Sequence, residues 1–139
     1  MLLLVYVSSA VKPFSTHELA ELLAKAREKN TRLGITGMLL YQDGNFMQAL
    51  EGEEDAVRQL YDTINRDVRH RGTIVVLLEE RINKRQFSDW SMGFRNLDDK
   101  DVQDLPGFSP FMNKSLKADY YRHDPTGCLG LLALFRDSH

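Results

Sequence analysis

The chain has 139 residues, 42% hydrophobic and 27% charged, the size and balance of one ordinary globular domain around one core. Its 18 basic and 20 acidic residues leave a net charge of −2, so the chain as a whole lacks the electrostatic footprint of a nucleic-acid binder. Cys128 is the only cysteine, which excludes an internal disulfide and a thiolate cluster, and no stretch has the ~18 apolar residues of a membrane span.

These totals point to a cytoplasmic protein in a reducing compartment, since the first residues, M-L-L-L-V-Y-V, lack the basic segment and the length of a secretory leader. Leu2–Ser8 reads as a strand with Leu2, Leu4, Tyr6 and Ser8 on one face and Leu3, Val5 and Val7 on the other. Both faces are largely apolar, so the strand is expected at the centre of a sheet covered on both sides. Ser15-Thr16-His17-Glu18 matches a capping box, and Leu19, Leu22, Leu23 and Ala26 follow at helical spacing. This helix is expected to end near Lys29-Asn30, before Gly34.

Asn30–Gly52 organises the rest of the chain. Met38–Tyr41 is an apolar strand, Asp43-Gly44 is a two-residue hairpin signal, and Phe46–Leu50 is the return strand. Gln48 sits in that return strand between Met47 and Ala49, where an amide without partners costs about 1–3 kcal/mol. Glu53, Glu54 and Asp55 suit the first turn of a second helix, whose buried stripe is Val57, Leu60, Tyr61 and Ile64. Thr73–Leu78 is a fourth strand, apolar enough to predict burial on both faces, and Ser91–Phe94 suits a short fifth. Val102–Leu105 and Phe108–Leu116 are short helical candidates, and Cys128–Phe135 is apolar nearly all round.

The order β-α-β-β-α-β predicts an α+β, ferredoxin-like sheet with two helices on one face and C-terminal helices covering the other. Residues 1–95 are expected to be the functional domain and 96–139 a cap within the same compact unit. The first and third strands of such a sheet are central neighbours, so Tyr6 and Gln48 can touch beneath the groove between the helices, with Asn30 ending the first helix nearby. A phenol and two carboxamides in an apolar groove suit a flat ligand with hydrogen-bonding groups along one edge.

Each of these residues has an ordinary reading when taken alone. Tyr6 reads as a core tyrosine with a satisfied hydroxyl, Gln48 as an amide bonded to backbone, Asn30 as a helix terminus, and Trp90 and Met92 as core filler. The cluster Arg81–Arg85 reads as a solvated edge, and His17 and His123 have no partners at metal-ligand spacing, so no metal is expected.

Taken together, Tyr6, Ser8, Asn30, the G-I-T-G of Gly34–Gly37, the F-M-Q-A-L-E-G of Phe46–Gly52, Arg69-His70 and the W-S-M of Trp90–Met92 resemble the BLUF family, the blue-light sensors using flavin, in its short stand-alone form. The match runs in order over about residues 1–95. The resemblance implies a flavin between the two helices, with FAD foremost and FMN or riboflavin as alternatives. It implies that Tyr6 is the electron and proton donor and that Gln48 bridges Tyr6 to the flavin and rearranges its hydrogen bonds. Asn30, Ser8, Phe46, Arg69 and His70 join Gln48 as cofactor-binding residues, and Trp90 and Met92 relay the signal. Lys29 stands where the family often has Asn or His, and a lysine there favours a phosphate on the flavin tail.

A sensor of this kind carries no catalytic output of its own and acts through a separate effector protein or a homo-oligomer, with no nucleic-acid or membrane partner expected. Two other classes compete. A phosphatase-like hydrolase on the same fold would need a glycine-rich phosphate loop after the first strand, and Ser8-Ser9-Ala10-Val11-Lys12-Pro13 has no glycine. A colourless ferredoxin-like ligand-binding or interaction module keeps the fold without the flavin.

Overall fold

In the computed structural model, residues 1–42, 44–87 and 93–96 are described. The elements are β1 (Leu2–Ala10), α1 (Thr16–Leu33), β2 (Thr36–Gln42), β3 (Asn45–Gly52), α2 (Glu54–Asn65), β4 (His70–Glu79) and β5 (Gly93–Asn96). The sheet order is β4-β1-β3-β2-β5, with β5 parallel to β2 and the other pairs antiparallel. Its first four strands and two helices are the expected ferredoxin-like arrangement. The expected C-terminal helices, including Cys128–Phe135, lie outside the described residues, as does Asp43 of the hairpin.

The capping box forms as read: Glu18 N–H donates to Ser15 Oγ and Ser15 N–H to a Glu18 carboxylate oxygen, both at 3.1 Å. The helix runs past the expected Asn30 to Leu33. Gly34 then caps it in the left-handed region at φ 68°, where a side chain is strained, and Ile35 N–H reaches back to the Asn30 carbonyl at 2.9 Å. Asn30 is therefore a buried residue inside the last turn, not its end. The β2–β3 hairpin closes on Gly44, at φ 76°, with Gln42 opposite Asn45.

Two apolar layers flank the sheet. Leu2, Leu4, Tyr6, Leu39, Phe46 and Leu50 meet Leu19 and Leu23 of α1 and Val57 and Leu60 of α2. On the opposite face Leu3, Val5, Met38, Leu40, Met47 and Ala49 pack with Phe87. Each fully buried leucine or isoleucine contributes about 1.5–3 kcal/mol relative to exposure, so β1, apolar on both faces, takes the centre.

β4 departs from the sequence reading. Ile74, Val75, Val76 and Leu78 are exposed, Ile74 by 60%, rather than buried on both faces. The strand lies at the sheet edge with β1 as its one neighbour, and its register slips between Val5 and Tyr6 and again between Val7 and Ser9, with Gly72 at φ 67° beside the second slip. With one neighbour and a broken register, the edge strand leaves these side chains only partly covered, while Leu77 still packs against the Phe87 layer. β5 covers Gly93–Asn96, and Ser91 and Met92 of the strand read from the sequence lie outside the described residues.

Glu51, near the end of β3, is fully buried and clamps the chain that follows β4. Its carboxylate accepts from the backbone N–H of Gln86 at 2.9 Å and Phe87 at 2.6 Å, and from Thr36 Oγ1 at 3.1 Å. Arg85 adds bonds to Thr36 Oγ1, the Glu51 carbonyl and the Gly34 carbonyl at 2.9, 3.2 and 2.8 Å. Arg81–Arg85 is thus a solvated edge only in part. Glu51→Ala strips the acceptor from these donors, so a loss of about 2–4 kcal/mol is expected in denaturant unfolding, and a loss near zero would mean water replaces the clamp.

Candidate functional site

The site is built where α1 and α2 part above the centre of the sheet. Tyr6 and Gln48 are direct partners in the β1–β3 ladder, and both side chains point to the helical side. The Tyr6 hydroxyl donates to Gln48 Oε1 in a short hydrogen bond within the core. The sequence places these residues 42 apart, and only the antiparallel register brings them together. Burial, with smaller contributions from Tyr61 and Asp67 nearby, pushes the Tyr6 phenol well above its usual value. Tyr6 therefore carries its proton in the neutral pH range. Its ring lies 5.6 Å from that of Tyr61, tilted by 59°.

A cavity of about 190 Å³ opens directly over this pair. Its floor is Tyr6, Ser8, Leu39, Phe46 and Gln48 of the sheet, and one wall is Leu22, Ala26, Lys29 and Asn30 of α1. The other wall is Leu60, Thr63 and Ile64 of α2, and Phe14, Asp67, Arg69 and His70 close one end. The structure thus gathers Tyr6, Ser8, Lys29, Asn30, Phe46, Gln48, Arg69 and His70, all singled out from the sequence, around one space. Trp90 and Met92 lie outside the described residues.

Two buried polar atoms on the lining lack a hydrogen-bond partner among the described residues, Ser8 Oγ and His70 Nδ1. His70 Nε2 lies 2.6 Å from the Ile64 carbonyl. A carbonyl only accepts, so this nitrogen carries the proton, and Nδ1 is the ring atom left buried without a partner. Buried polar groups are nearly always satisfied, so these two atoms argue for a ligand with polar edges. A flat heteroaromatic ring bearing N–H and C=O groups fits: hydroxyls at Tyr6 and Ser8, carboxamides at Asn30 and Gln48, an imidazole at His70, and apolar walls between them.

Phe14 and Asp67 were not singled out from the sequence. Phe14 packs edge-on against Phe46 at 5.2 Å, donates its N–H to the Tyr41 hydroxyl at 2.9 Å, and lies 6.0 Å beneath the Arg69 guanidinium. Asp67 holds Arg69 Nε at 3.0 Å and receives its backbone N–H at 2.9 Å. The hydrogen bonds from Arg69 keep the Asp67 carboxyl below its ordinary range, and the same pair raises Arg69. The available signal was Asp67-Val68-Arg69, opposite charges two apart just beyond a helix end, a spacing that suits a turn.

The sequence model of the family described as "BLUF: Sensors of blue-light using FAD" matches residues 1–93. The chain is 36% identical over 89 residues to the photoactivated adenylate cyclase subunit beta of Euglena longa, an alignment covering 64% of this chain and 10% of that protein. It thus spans about a tenth of the length of such curated relatives. Among solved structures, BlrB, a BLUF protein in its dark state, aligns with a TM-score of 0.70 at 30% identity, covering 97% of this chain and 92% of that one. BlrP1 of Klebsiella pneumoniae, solved with FMN and cyclic diGMP, aligns with a TM-score of 0.65 at 29% identity over 91% of this chain and 34% of that one.

Proposed function

The chain belongs to the BLUF family, the sensors of blue light using FAD, and from that premise we propose that it is a blue-light photoreceptor working through Tyr6 and Gln48. The observation that carries the reading is the buried Tyr6–Gln48 hydrogen bond at the floor of a cavity with unsatisfied polar atoms.

When bound, the flavin supplies absorption of blue light and an excited ring that takes up an electron and a proton. Tyr6 is the donor of both. Its raised pKa means the phenol is protonated before illumination, so the proton has to leave with the electron, and the carboxamide of Gln48 is the group that receives its hydrogen bond. Loss of that donor would free Gln48 Oε1 and let the carboxamide rearrange by rotation, tautomerisation or both; return of the electron and proton to the Tyr6 phenoxyl would then leave only an altered hydrogen-bond pattern, a reversible and slightly red-shifted signalling state. Asn30, Ser8, Phe46 and His70 would hold the ring, and Arg69 and Lys29 would serve its tail. Trp90 and Met92 carry the change outward.

FAD is the form assigned here, in keeping with the family's description, and FMN and riboflavin are the alternatives. Residues 1–95 form the sensing unit, with 96–139 as a cap. Burial of Leu3, Val5, Met38 and Leu40 on the face away from the helices supports a cover there. The chain itself is a sensor without catalysis of its own, located in the cytoplasm, and hands its signal to a separate effector protein or to another copy of itself. No helix among the described residues is long and apolar enough to cross a membrane.

The test is an absorption spectrum of the purified chain before and during blue illumination. A flavin spectrum that shifts slightly to the red and relaxes in darkness is the expected result. Bleaching alone would replace the switch with redox chemistry, and a protein that stays colourless with added flavin would leave a ligand-binding module.

A further inference from the structure

We propose that Lys25 and Lys29 form a phosphate seat at the rim of the cavity, so that this chain prefers phosphorylated flavins to riboflavin. The inference rests on the flavin reading above and adds a specificity to it.

The argument is one of uncompensated charge. Tyr6, Ser8, Asn30 and Gln48 are neutral polar groups, each at most 6% exposed, so the covered part of the cavity asks for an uncharged ring. The charged side chains on the lining are Lys25, Lys29, Asp67 and Arg69. Asp67 and Arg69 neutralise each other, with Arg69 Nε 3.0 and 3.1 Å from the two carboxylate oxygens. His70 is held by the Ile64 carbonyl. Glu21, one turn before Lys25, pairs with His17 at 3.1 Å. Among the described residues neither lysine has an ion pair or hydrogen bond.

Lys25 and Lys29 are four apart on α1, so they project from one face about 5–6 Å from each other at Cβ. Like charges at that spacing repel, and one anion between them relieves both. Leu22 and Ala26 share this face and line the same wall, which carries the apolar surface outward to the two ammonium groups. A ligand matching this gradient has a flat neutral head and a tail carrying a phosphate monoester or a diphosphate, either of which bears about −1.5 to −2 charges in total at neutral pH. Both the monophosphate of FMN and the diphosphate of FAD supply that chemistry.

The experiment is a titration of the cofactor-free full chain with riboflavin, FMN and FAD, followed by quenching of flavin fluorescence at low and high salt. For the unmodified chain, FMN, FAD or both are expected to bind about tenfold more tightly than riboflavin at low salt, with the advantage falling at least threefold by about 0.5 M salt. FMN alone gaining the advantage places a terminal phosphate in the seat, and FAD gaining it equally places a diphosphate there. In Lys25→Gln/Lys29→Gln the ratio is expected to collapse to within about twofold of one, while Lys25→Arg/Lys29→Arg keeps it. Equal binding of riboflavin and both phosphorylated forms by the unmodified chain overturns the seat and leaves the flavin reading standing. An unchanged ratio in the glutamine variant does the same. Failure of all three flavins to bind overturns the flavin reading, and the seat with it.

Discussion

Tyr6→Phe is expected to give a yellow protein with no light-induced red shift. The aromatic ring and its packing against Tyr61 survive, and the cavity keeps its shape. What disappears is the hydroxyl that donates to Gln48, and with it both the proton and the easily oxidised phenol. Gln48 Oε1 is left without that donor in the core, which costs about 1–3 kcal/mol, so the variant should also unfold at lower temperature. The decisive reading is the difference spectrum under blue light. A normal shift and dark recovery in Tyr6→Phe would remove Tyr6 from the photochemistry and reduce it to a core tyrosine.

Gln48→Leu is expected to lose the shift as well, for a different reason. Leucine has nearly the same volume and extends the apolar pattern of Met47, Ala49 and Leu50, so β3 should form and flavin should bind. Tyr6 remains as a donor, but its hydroxyl has lost the acceptor to which it is bound in the structure, again at a cost of about 1–3 kcal/mol. No amide stands against Tyr6 to exchange its donor and acceptor ends, so excitation leaves no altered hydrogen-bond pattern behind. The pair of variants separates the two roles. If light still oxidises Tyr6 transiently in Gln48→Leu but no red-shifted state follows, the amide carries the switch. If the shift survives without the amide, the hydrogen-bond account fails.

The local devices were legible in the sequence because their causes are local. The Ser15–Glu18 capping box, the leucine stripe of α1, the two-residue hairpin loop at Gly44 and the two apolar faces of β1 each follow from spacings of two to four residues, and each forms as read. The candidate site was legible by another route. Tyr6, Asn30 and Gln48 look ordinary one at a time, and it took their joint resemblance to a known family, together with the strand order that fold implies, to place them in one groove.

Tertiary structure decided the rest. Apolar composition made β4 look buried on both faces, but composition does not say which strand stands at an edge, and edge position with two register slips leaves Ile74 and its neighbours in solvent. Asn30 reads as a helix end until Gly34, in the left-handed region, carries the last turn beyond it. No pattern in the sequence marks the burial of Glu51, which follows once residues 85–87 fold across it and aim two backbone N–H groups at its carboxylate. Asp67 and Phe14 bear on the cavity because the segments before β4 and α1 converge at its end. In each case the partner is far away along the chain or comes from backbone whose direction no side-chain pattern records. Periodicity reports which face of an element is apolar; what that face meets is settled only when the elements pack.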